Sequence, residues 1–187
     1  MCSGEATVGK VVLDMAVSLD GYICGPNGED GGLHDWYFAP DAATAVTDEL
    51  LESIGAMVMG HRAFGIAPDG FDTPYKVPHF VLTHQARPTV SRDGASFVFV
   101  TGGLQSALDQ ARLAAGTKDV CVAGGADTAQ QFLKARLIDE MQLHLVPVLL
   151  GGGVRLFEHL DSRWNLQKRR VTESAHALHL TFGFEQP

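Results

Sequence analysis

Residues 120–132 read Val-Cys-Val-Ala-Gly-Gly-Ala-Asp-Thr-Ala-Gln-Gln-Phe, an apolar run followed by two glycines and a segment with helical spacing. The apolar run predicts a buried strand, and a helix is predicted to begin directly after the glycines. Such a turn leaves backbone N–H groups unpaired at the positive end of a helix dipole, so it attracts phosphate. The first hypothesis is therefore a phosphorylated ligand, in particular a dinucleotide. The alternative, given equal weight, is a tight strand-to-helix turn without a ligand.

Size and composition are typical of one globular domain. The chain has 187 residues, of which 45% are hydrophobic and 19% charged. With 14 basic and 22 acidic residues its net charge is −8, so neither nucleic acid nor an anionic membrane is expected as a partner. The basic run 168–170 is interpreted as a solvated strand face. The unpaired cysteine spacing, the lack of a signal-peptide core and the lack of a long apolar run predict a cytoplasmic protein.

Strand and helix patterns alternate along most of the sequence. Strands are predicted at 11–17, 56–59, 79–83, 97–101, 119–123, 141–150, 166–174 and 177–184, helices at 41–54, 104–115 and 127–135, and long loops at 18–35 and 67–78. This alternation predicts an α/β domain around a largely parallel sheet, and the last two strands predict an antiparallel edge. In the final strand, residues 178, 180, 182 and 184 are predicted to face inward. Residues 1–187 are predicted to form a single domain.

Five segments in a fixed order carry a resemblance to a known superfamily. They are Met-Ala-Val-Ser-Leu-Asp-Gly-Tyr-Ile (15–23), Val-Met-Gly-His-Arg-Ala-Phe (58–64), Phe-Val-Leu-Thr-His (80–84), Val-Ala-Gly-Gly-Ala-Asp-Thr-Ala-Gln-Gln-Phe-Leu (122–133) and Leu-Ile-Asp-Glu-Met-Gln-Leu-His-Leu-Val-Pro-Val-Leu-Leu-Gly-Gly-Gly-Val-Arg-Leu-Phe (137–157). Together they resemble the dihydrofolate reductase-like superfamily, and within it the reductase domain of the riboflavin-biosynthesis deaminase–reductase and its stand-alone relatives. The resemblance covers about residues 11–184. It implies a mixed, mostly parallel sheet flanked by helices, a C-terminal antiparallel hairpin and a homodimer.

The resemblance also implies that NADPH lies across the carboxyl ends of the strands. The residues that match cofactor contacts are Ala16, Ile23, Gly60, His61, Arg62, Thr83, His84, Gly124, Gly125, Ala126, Asp127, Thr128 and Gln131. Gly124 and Gly125 match the turn that receives the phosphates, and Ala16 and Ile23 match positions that border the nicotinamide ring. In relatives an arginine commonly follows the glycine at position 60, whereas His61 stands there in this chain. Arg62 is therefore the candidate for an adenosine phosphate, with an ordinary surface arginine as the equally weighted alternative.

A reduction needs a proton as well as a hydride, and two acidic positions are candidates for its source. Asp20 matches the acidic position of the riboflavin-type reductases and is predicted to be catalytic or substrate-orienting, although the Asp-Gly pair is also a common turn. Asp35 and Trp36 belong to the cluster His-Asp-Trp-Tyr at 34–37, which suits a flat heterocycle and is predicted to bind substrate. Whether Asp20 or the cluster at 34–37 supplies the proton is left open. The carboxylate pattern of the folate enzymes is not found at Asp35 or at Asp41.

The sequence thus predicts an NADPH-dependent reductase of a small heterocyclic substrate, pterin- or ribosylaminopyrimidine-like. The alternatives are a dinucleotide-binding module without turnover and a flavin-using reductase on the same scaffold. No metal site is expected, because His176 and His179 are three residues apart in a strand and so point to opposite faces.

Overall fold

The computed structural model describes residues 8–39, 44–65, 69–158 and 160–185. The strands are β1 (Val11–Ser18), β2 (Tyr22–Cys24), β3 (Ile54–Gly60), β4 (Pro78–Leu82), β5 (Val90–Arg92), β6 (Ala95–Val100), β7 (Asp119–Val122), β8 (Glu140–Val146), β9 (Val154–Arg155), β10 (Leu166–Glu173) and β11 (Leu178–Phe184). The helices are α1 (Asp35–Phe38), α2 (Thr44–Ser53), α3 (His61–Phe64), α4 (Gly103–Ala115) and α5 (Ala126–Lys134). Asp41 and the start of the helix predicted at 41–54 lie outside the described residues, as does part of the loop predicted at 67–78.

Nine strands form one sheet in the order β10-β11-β8-β1-β7-β3-β4-β6-β5, while β2 pairs with β9 apart from it. All neighbours from β8 to β6 pair in parallel. The pairs β8–β11, β10–β11 and β5–β6 are antiparallel. The mixed, mostly parallel sheet with a C-terminal antiparallel hairpin is therefore confirmed.

Both faces of the central strands are covered, as expected for parallel strands. On one face Leu13 and Val58 pack against Leu108 of α4 and Phe132 of α5. On the other face Ala16 belongs to a cluster with residues of α1 and α2, including the buried Trp36. Within β1 every residue is buried except Asp14, which is half-buried. This carboxylate lies on the face that α1 and α2 cover, since alternate residues of a strand share a face.

Several boundaries differ from the predictions. The strand predicted at 141–150 ends at Val146, directly before Pro147, which has no N–H to donate to a neighbouring strand. The loop predicted at 18–35 contains β2, and β5 was not predicted. The inward face predicted for the last strand is wrong at its start, where Leu178 is 40% exposed and the adjacent His179 is only 5% exposed.

No helix among the described residues is long and apolar enough to cross a membrane.

Candidate active site

The turn Gly124–Gly125 joins β7 to α5 at the carboxyl end of the strand. Gly125 is the N-cap of α5, and no side chain caps this nine-residue helix. Gly124 has φ of +123°, a conformation that L side chains rarely adopt, and its peptide bond to Gly125 is cis. A Cβ at Gly125 would meet no atom within 4 Å. The approach to the helix, which begins at Ala126, is therefore open at Gly125, as the phosphate hypothesis requires.

Gly60 brings the end of β3 directly against this turn. Its N–H donates to the carbonyl oxygen of Gly124 at 2.8 Å. A Cβ at Gly60 would lie 2.6 Å from Oγ1 of Thr128, closer than packed atoms come. Thr128 is only 4% exposed, so its hydroxyl faces Gly60 and not open surface. Glycine at position 60 therefore avoids a clash with the Thr128 hydroxyl, while the backbone N of Gly125 would lie 3.8 Å from an added Cβ.

The remaining cofactor candidates lie on the same edge of the sheet but differ in exposure. His61, Arg62 and His84 are exposed, and Thr83 is half-buried. The Thr83 N–H donates to Val100 at 3.1 Å, which continues the pairing of β4 with β6 beyond the strand. Because β7, β3 and β4 are neighbours in the sheet, their carboxyl ends bring these predicted residues together.

Asp127 and Gln131 are paired with each other on the exposed side of α5. The Gln131 amide donates to a carboxylate oxygen of Asp127 at 2.8 Å, one helical turn away. This contact occupies the side chain that was predicted to bind the cofactor. The principal hydrogen-bond donors left for a phosphate at this helix are therefore the backbone N–H groups of the first turn of α5.

Asp20 holds two loops together. Its carboxylate accepts hydrogen bonds from Oγ of Ser18 at 2.7 Å, from the N–H of Leu150 at 3.1 Å and from the N–H of Gly151 at 2.8 Å. These donors, Ser18 first among them, hold the pKa of Asp20 below its usual value. A carboxyl that ionises this readily is a poor proton donor near neutral pH. The contacts therefore favour a holding or orienting role for Asp20 over proton donation.

Asp35 and Trp36, predicted to act together on substrate, have different surroundings. Trp36 is 3% exposed and stacks on His144 with ring centroids 3.9 Å apart. Its Nε1 is buried and has no hydrogen-bond partner among the described residues. Asp35 is exposed at the start of α1, and the neighbouring His34 pairs with the carboxylate of Asp30. Of these two residues, only Trp36 reaches the interior of this face.

A polar cluster beneath Trp36 was not predicted. Asp14 Oδ2 lies 3.0 Å from Nε2 of His144, and Nδ1 of His144 lies 2.7 Å from Nδ1 of His179. Burial, followed by the neighbouring His144, lowers the pKa of His179 to about 4. The sequence feature that could have indicated this cluster is Asp14, a single carboxylate in a predicted strand that is otherwise apolar.

Of the two residues predicted to border the nicotinamide ring, Ala16 lies near this cluster and Ile23 lies across the sheet from it. Ala16 of β1 is opposite His144 in the register of β1 and β8. Ile23 of β2 is half-buried and packs on the core of the opposite face. Asp14, two residues before Ala16, shares its face of β1.

A cavity at the opposite edge of the sheet is remote from these residues. It has a volume of about 740 Å³ and includes Lys10, Asp139 and Glu140 in its lining. These residues lie at the amino ends of β1 and β8, whereas the glycine turns lie at carboxyl ends. Among the described residues no group of three or more His, Cys, Asp or Glu is arranged to hold a metal ion.

Comparison with known proteins finds a matching family model. The model of the RibD C-terminal domain matches residues 9–180. Among curated proteins the chain is similar to the uncharacterized protein YyaP of Bacillus subtilis (strain 168). The two are 29% identical over 167 residues, which cover 84% of this chain and 85% of YyaP.

Solved structures share the fold. A putative riboflavin biosynthesis protein from Shewanella sp. PV-4 is 28% identical with a TM-score of 0.72, covering 95% of this chain and 99% of its own. The Thermotoga maritima diaminohydroxyphosphoribosylaminopyrimidine deaminase/5-amino-6-(5-phosphoribosylamino)uracil reductase is 13% identical with a TM-score of 0.62, covering 94% of this chain and 56% of its own. Dihydrofolate reductase from Enterococcus faecalis, complexed with NADP(H), is 18% identical with a TM-score of 0.61, covering 96% and 98%. At their low identities the last two show the fold alone.

Proposed function

Because the chain belongs to the RibD C-terminal domain family, we propose that it is an NADPH-dependent reductase of a small heterocyclic, pterin- or ribosylaminopyrimidine-like substrate. The observation that carries this proposal is the pair of glycine turns at the carboxyl ends of β7 and β3. Gly125 leaves the uncapped start of α5 open, and Gly60 permits the two turns to touch. Backbone donors that are free of side chains suit the pyrophosphate of a dinucleotide.

The residues present fit NADPH in type as well as in position. The first turn of α5 would hold the pyrophosphate through backbone N–H groups, and the exposed Arg62 would bind the adenosine phosphate by its guanidinium. Ala16, Thr83 and His84 would border the rest of the dinucleotide. When bound, NADPH supplies the hydride.

The substrate side of the proposed site is formed by this chain's aromatic and polar residues. Asp35 is exposed and offers a carboxylate to the N–H groups of a heterocycle, while the buried Trp36 supports the site from within through its flat ring. Asp20 fixes the loop at Leu150 and Gly151 and so maintains the shape of the site. A dry and rigid environment keeps the transferred hydride from being lost to water.

Binding and turnover are tested separately. Titration calorimetry with NADPH and NADP+ is expected to show binding at micromolar to millimolar concentration. The absorbance of reduced nicotinamide is then expected to fall with at least one substrate from a panel of pterins and ribosylaminopyrimidines. Binding without any absorbance loss would identify a dinucleotide-binding module, and a yellow purified protein would identify a flavin-using reductase. Absence of binding by both NADPH and NADP+ would overturn the proposal.

A further inference from the structure

A cluster of charged side chains surrounds the cavity at the amino ends of β1 and β8, away from the candidate active site. The cavity has a volume of about 740 Å³, and its charged lining consists of Lys10, Arg112, Arg169, Asp139 and Glu140. Lys10 directly precedes β1, Arg112 belongs to the last turn of α4, and Arg169 lies in β10. Three cations from three parts of the fold thus line one cavity with two carboxylates, in a chain whose net charge is −8.

The carboxylates at this end of the sheet already have donors. Oδ2 of Asp139 accepts the N–H of Val11 at 2.8 Å, and Oε2 of Glu140 pairs with Nζ of Lys10 at 2.9 Å. The nearby Asp119 accepts the N–H of Lys10 at 2.7 Å. The hydrogen bond to Glu140 raises the pKa of Lys10, so this ammonium group is charged near neutral pH. Residues 10 and 11 therefore account for a contact to each of the three carboxylates.

The two guanidinium groups of the cavity lack such contacts. Among the described residues, the side chains of Arg112 and Arg169 form neither an ion pair nor a hydrogen bond, whereas the adjacent Arg170 binds Glu49 through both of its Nη atoms. Arg169 is also close enough to Lys10 to oppose the rise in the pKa of that lysine. Neighbouring cations that repel one another and lack a counter-charge create a local field that favours an anion.

A β-bulge and a glycine place Arg169 at the cavity. The register of β10 against β11 shifts between Lys168 and Arg170, so Arg169 is the extra residue of the bulge. Its guanidinium lies against the buried Gly183, where an added Cβ would be 2.8 Å from Nε and 3.0 Å from Nη2. Gly183 is opposite Glu140 in the pairing of β11 with β8. The absence of a side chain at position 183 thus leaves the space that this guanidinium occupies.

We propose that this cavity binds the phosphate group of a small phosphorylated molecule, with Lys10, Arg112 and Arg169 as the cationic contacts. A phosphate monoester carries close to two negative charges and has three terminal oxygens, so it can contact cations from three directions. A single carboxylate has one charge and two oxygens, which suits a site with fewer cations. The volume of the cavity is in the range of small-molecule sites and leaves room for the organic part of the ligand.

The site is separate from the proposed dinucleotide site and does not depend on it. The glycine turns that carry the reductase proposal lie at the carboxyl ends of β7 and β3, whereas the cavity lies at the amino ends of β1 and β8. A phosphate that binds at the start of α5 and one that binds in the cavity therefore contact different backbone amides.

Amide NMR of the isotope-labelled full-length protein distinguishes the two places, with inorganic phosphate and ribose 5-phosphate as probes. Both probes are expected to shift the signals of Lys10, Glu140 and Gly183 at about millimolar concentration, and ribose 5-phosphate is expected to bind at least as tightly as inorganic phosphate. The signals of Ala126 and Asp127 report on the glycine turn. Shifts confined to these two residues, or weaker binding of ribose 5-phosphate than of inorganic phosphate, would overturn the proposal. Tighter binding of citrate than of either probe would assign the cavity to polycarboxylates and would also overturn it.

Arg169→Gln is expected to weaken ribose 5-phosphate binding in the cavity about tenfold or more, because a charge-assisted contact is lost. Arg170→Gln is the matched control, since it removes the same charge from the next residue, whose guanidinium is already paired with Glu49. We expect the control to change the affinity by less than about twofold, as a distant charge is screened by salt. Equal weakening in the two variants would show a response to net charge alone and would overturn the site.

Gly183→Ala tests the placement of Arg169 without a change of charge. The new Cβ would collide with Nε and Nη2, which belong to the flexible end of a long side chain, so the guanidinium is expected to move while the fold is retained. Binding of ribose 5-phosphate in the cavity is then expected to weaken severalfold, with a Tm close to that of the wild type. Wild-type affinity in both Gly183→Ala and Arg169→Gln would show that Arg169 does not contact the phosphate and would contradict the proposal.

Discussion

At the scale of single residues, Gly60 is the glycine of the candidate turns at which an added Cβ would make the closest contact. Gly60→Ala would place a Cβ 2.6 Å from Oγ1 of the buried Thr128. We expect it to lower the free energy of unfolding by about 1–3 kcal/mol, the usual effect of overpacking, and to weaken NADPH binding. Urea unfolding and titration calorimetry measure the two effects.

The double variant Gly60→Ala/Thr128→Ala is the matched control for this clash. Removal of Oγ1 leaves the new methyl group without the atom that it hits, since the Thr128 Cβ would be 3.8 Å away. The double variant is therefore expected to be more stable than Gly60→Ala alone. If the two are equally unstable, the requirement for glycine has another origin.

Substitutions at Gly125 test how a charge at this turn affects NADPH binding, because they introduce no steric strain. It has φ of −78°, and a Cβ there would meet nothing within 4 Å. Gly125→Asp is expected to weaken NADPH binding roughly tenfold or more, because like charges about 4 Å apart repel by about 1 kcal/mol in water and more near a protein. Gly125→Asn, of equal size, is the control, and calorimetry at low and high salt measures both. Equal affinities in the two variants would show that no anionic group binds at this turn.

Single residues also show which parts of the candidate site could be predicted from the sequence. The glycines at 60, 124 and 125 were predictable, because an apolar run that stops at glycine before a helix has a local physical meaning. The polar cluster beneath Trp36 was not predictable, since Asp14 and His179 are 165 positions apart and come together only through the order of β1, β8 and β11 in the sheet. The prediction that His176 and His179 point to opposite faces of one strand is wrong, because His176 lies in the turn before β11 and only His179 belongs to the strand.

At the scale of elements, Asp20 connects the end of β1 with the loop after β8. Its carboxylate accepts the N–H groups of Leu150 and Gly151, which lie beyond Pro147, where regular pairing has ended. We expect Asp20→Ala to increase amide hydrogen exchange at Leu150 and Gly151 without an increase at buried β1 amides. Asp20→Asn is expected to have a smaller effect, because one side-chain oxygen is still available as an acceptor.

Hydrogen exchange followed by mass spectrometry resolves the peptides that contain these amides. Unchanged exchange at Leu150 and Gly151 in Asp20→Ala would show that the loop is held by other contacts. Asp20 would then again be a candidate catalytic residue.

Elements with strong periodicity were predictable, and elements defined by tertiary contacts were not. The continuous apolar run of β1 and the amphipathic pattern of α4 predicted both to within one residue at each end. β2 is three residues long and forms only because it pairs with β9, which lies about 130 positions further along the chain. No local pattern contains that pairing.

At the scale of the whole molecule, the sheet buries histidines on both sides of its centre, and stability should reflect this. Burial lowers the pKa of His179 to about 4 and also lowers that of His79. In the unfolded chain both titrate near 6.5. For His179 the unfolded state therefore binds more protons between about pH 6.5 and about 4, and the free energy of unfolding falls as pH falls, by up to about 1.4 kcal/mol per pH unit. His79 contributes in the same direction below about pH 6.5.

Asp20 and Asp72 contribute to stability in a different pH range, because their pKa values are lowered. Hydrogen bonds from Ser18 and from Arg92 stabilise the two carboxylates, so the stability that they add is complete above about pH 4 and is lost only below it.

Urea unfolding between about pH 6.5 and about 4 should then separate the contribution of the histidines from that of the carboxylates. His179→Gln is expected to have a shallower pH slope than the wild type between about pH 6.5 and about 4, whatever its absolute stability. An identical slope would mean that His179 takes up its proton without unfolding, and that the interior beneath Trp36 is more polar than its burial implies.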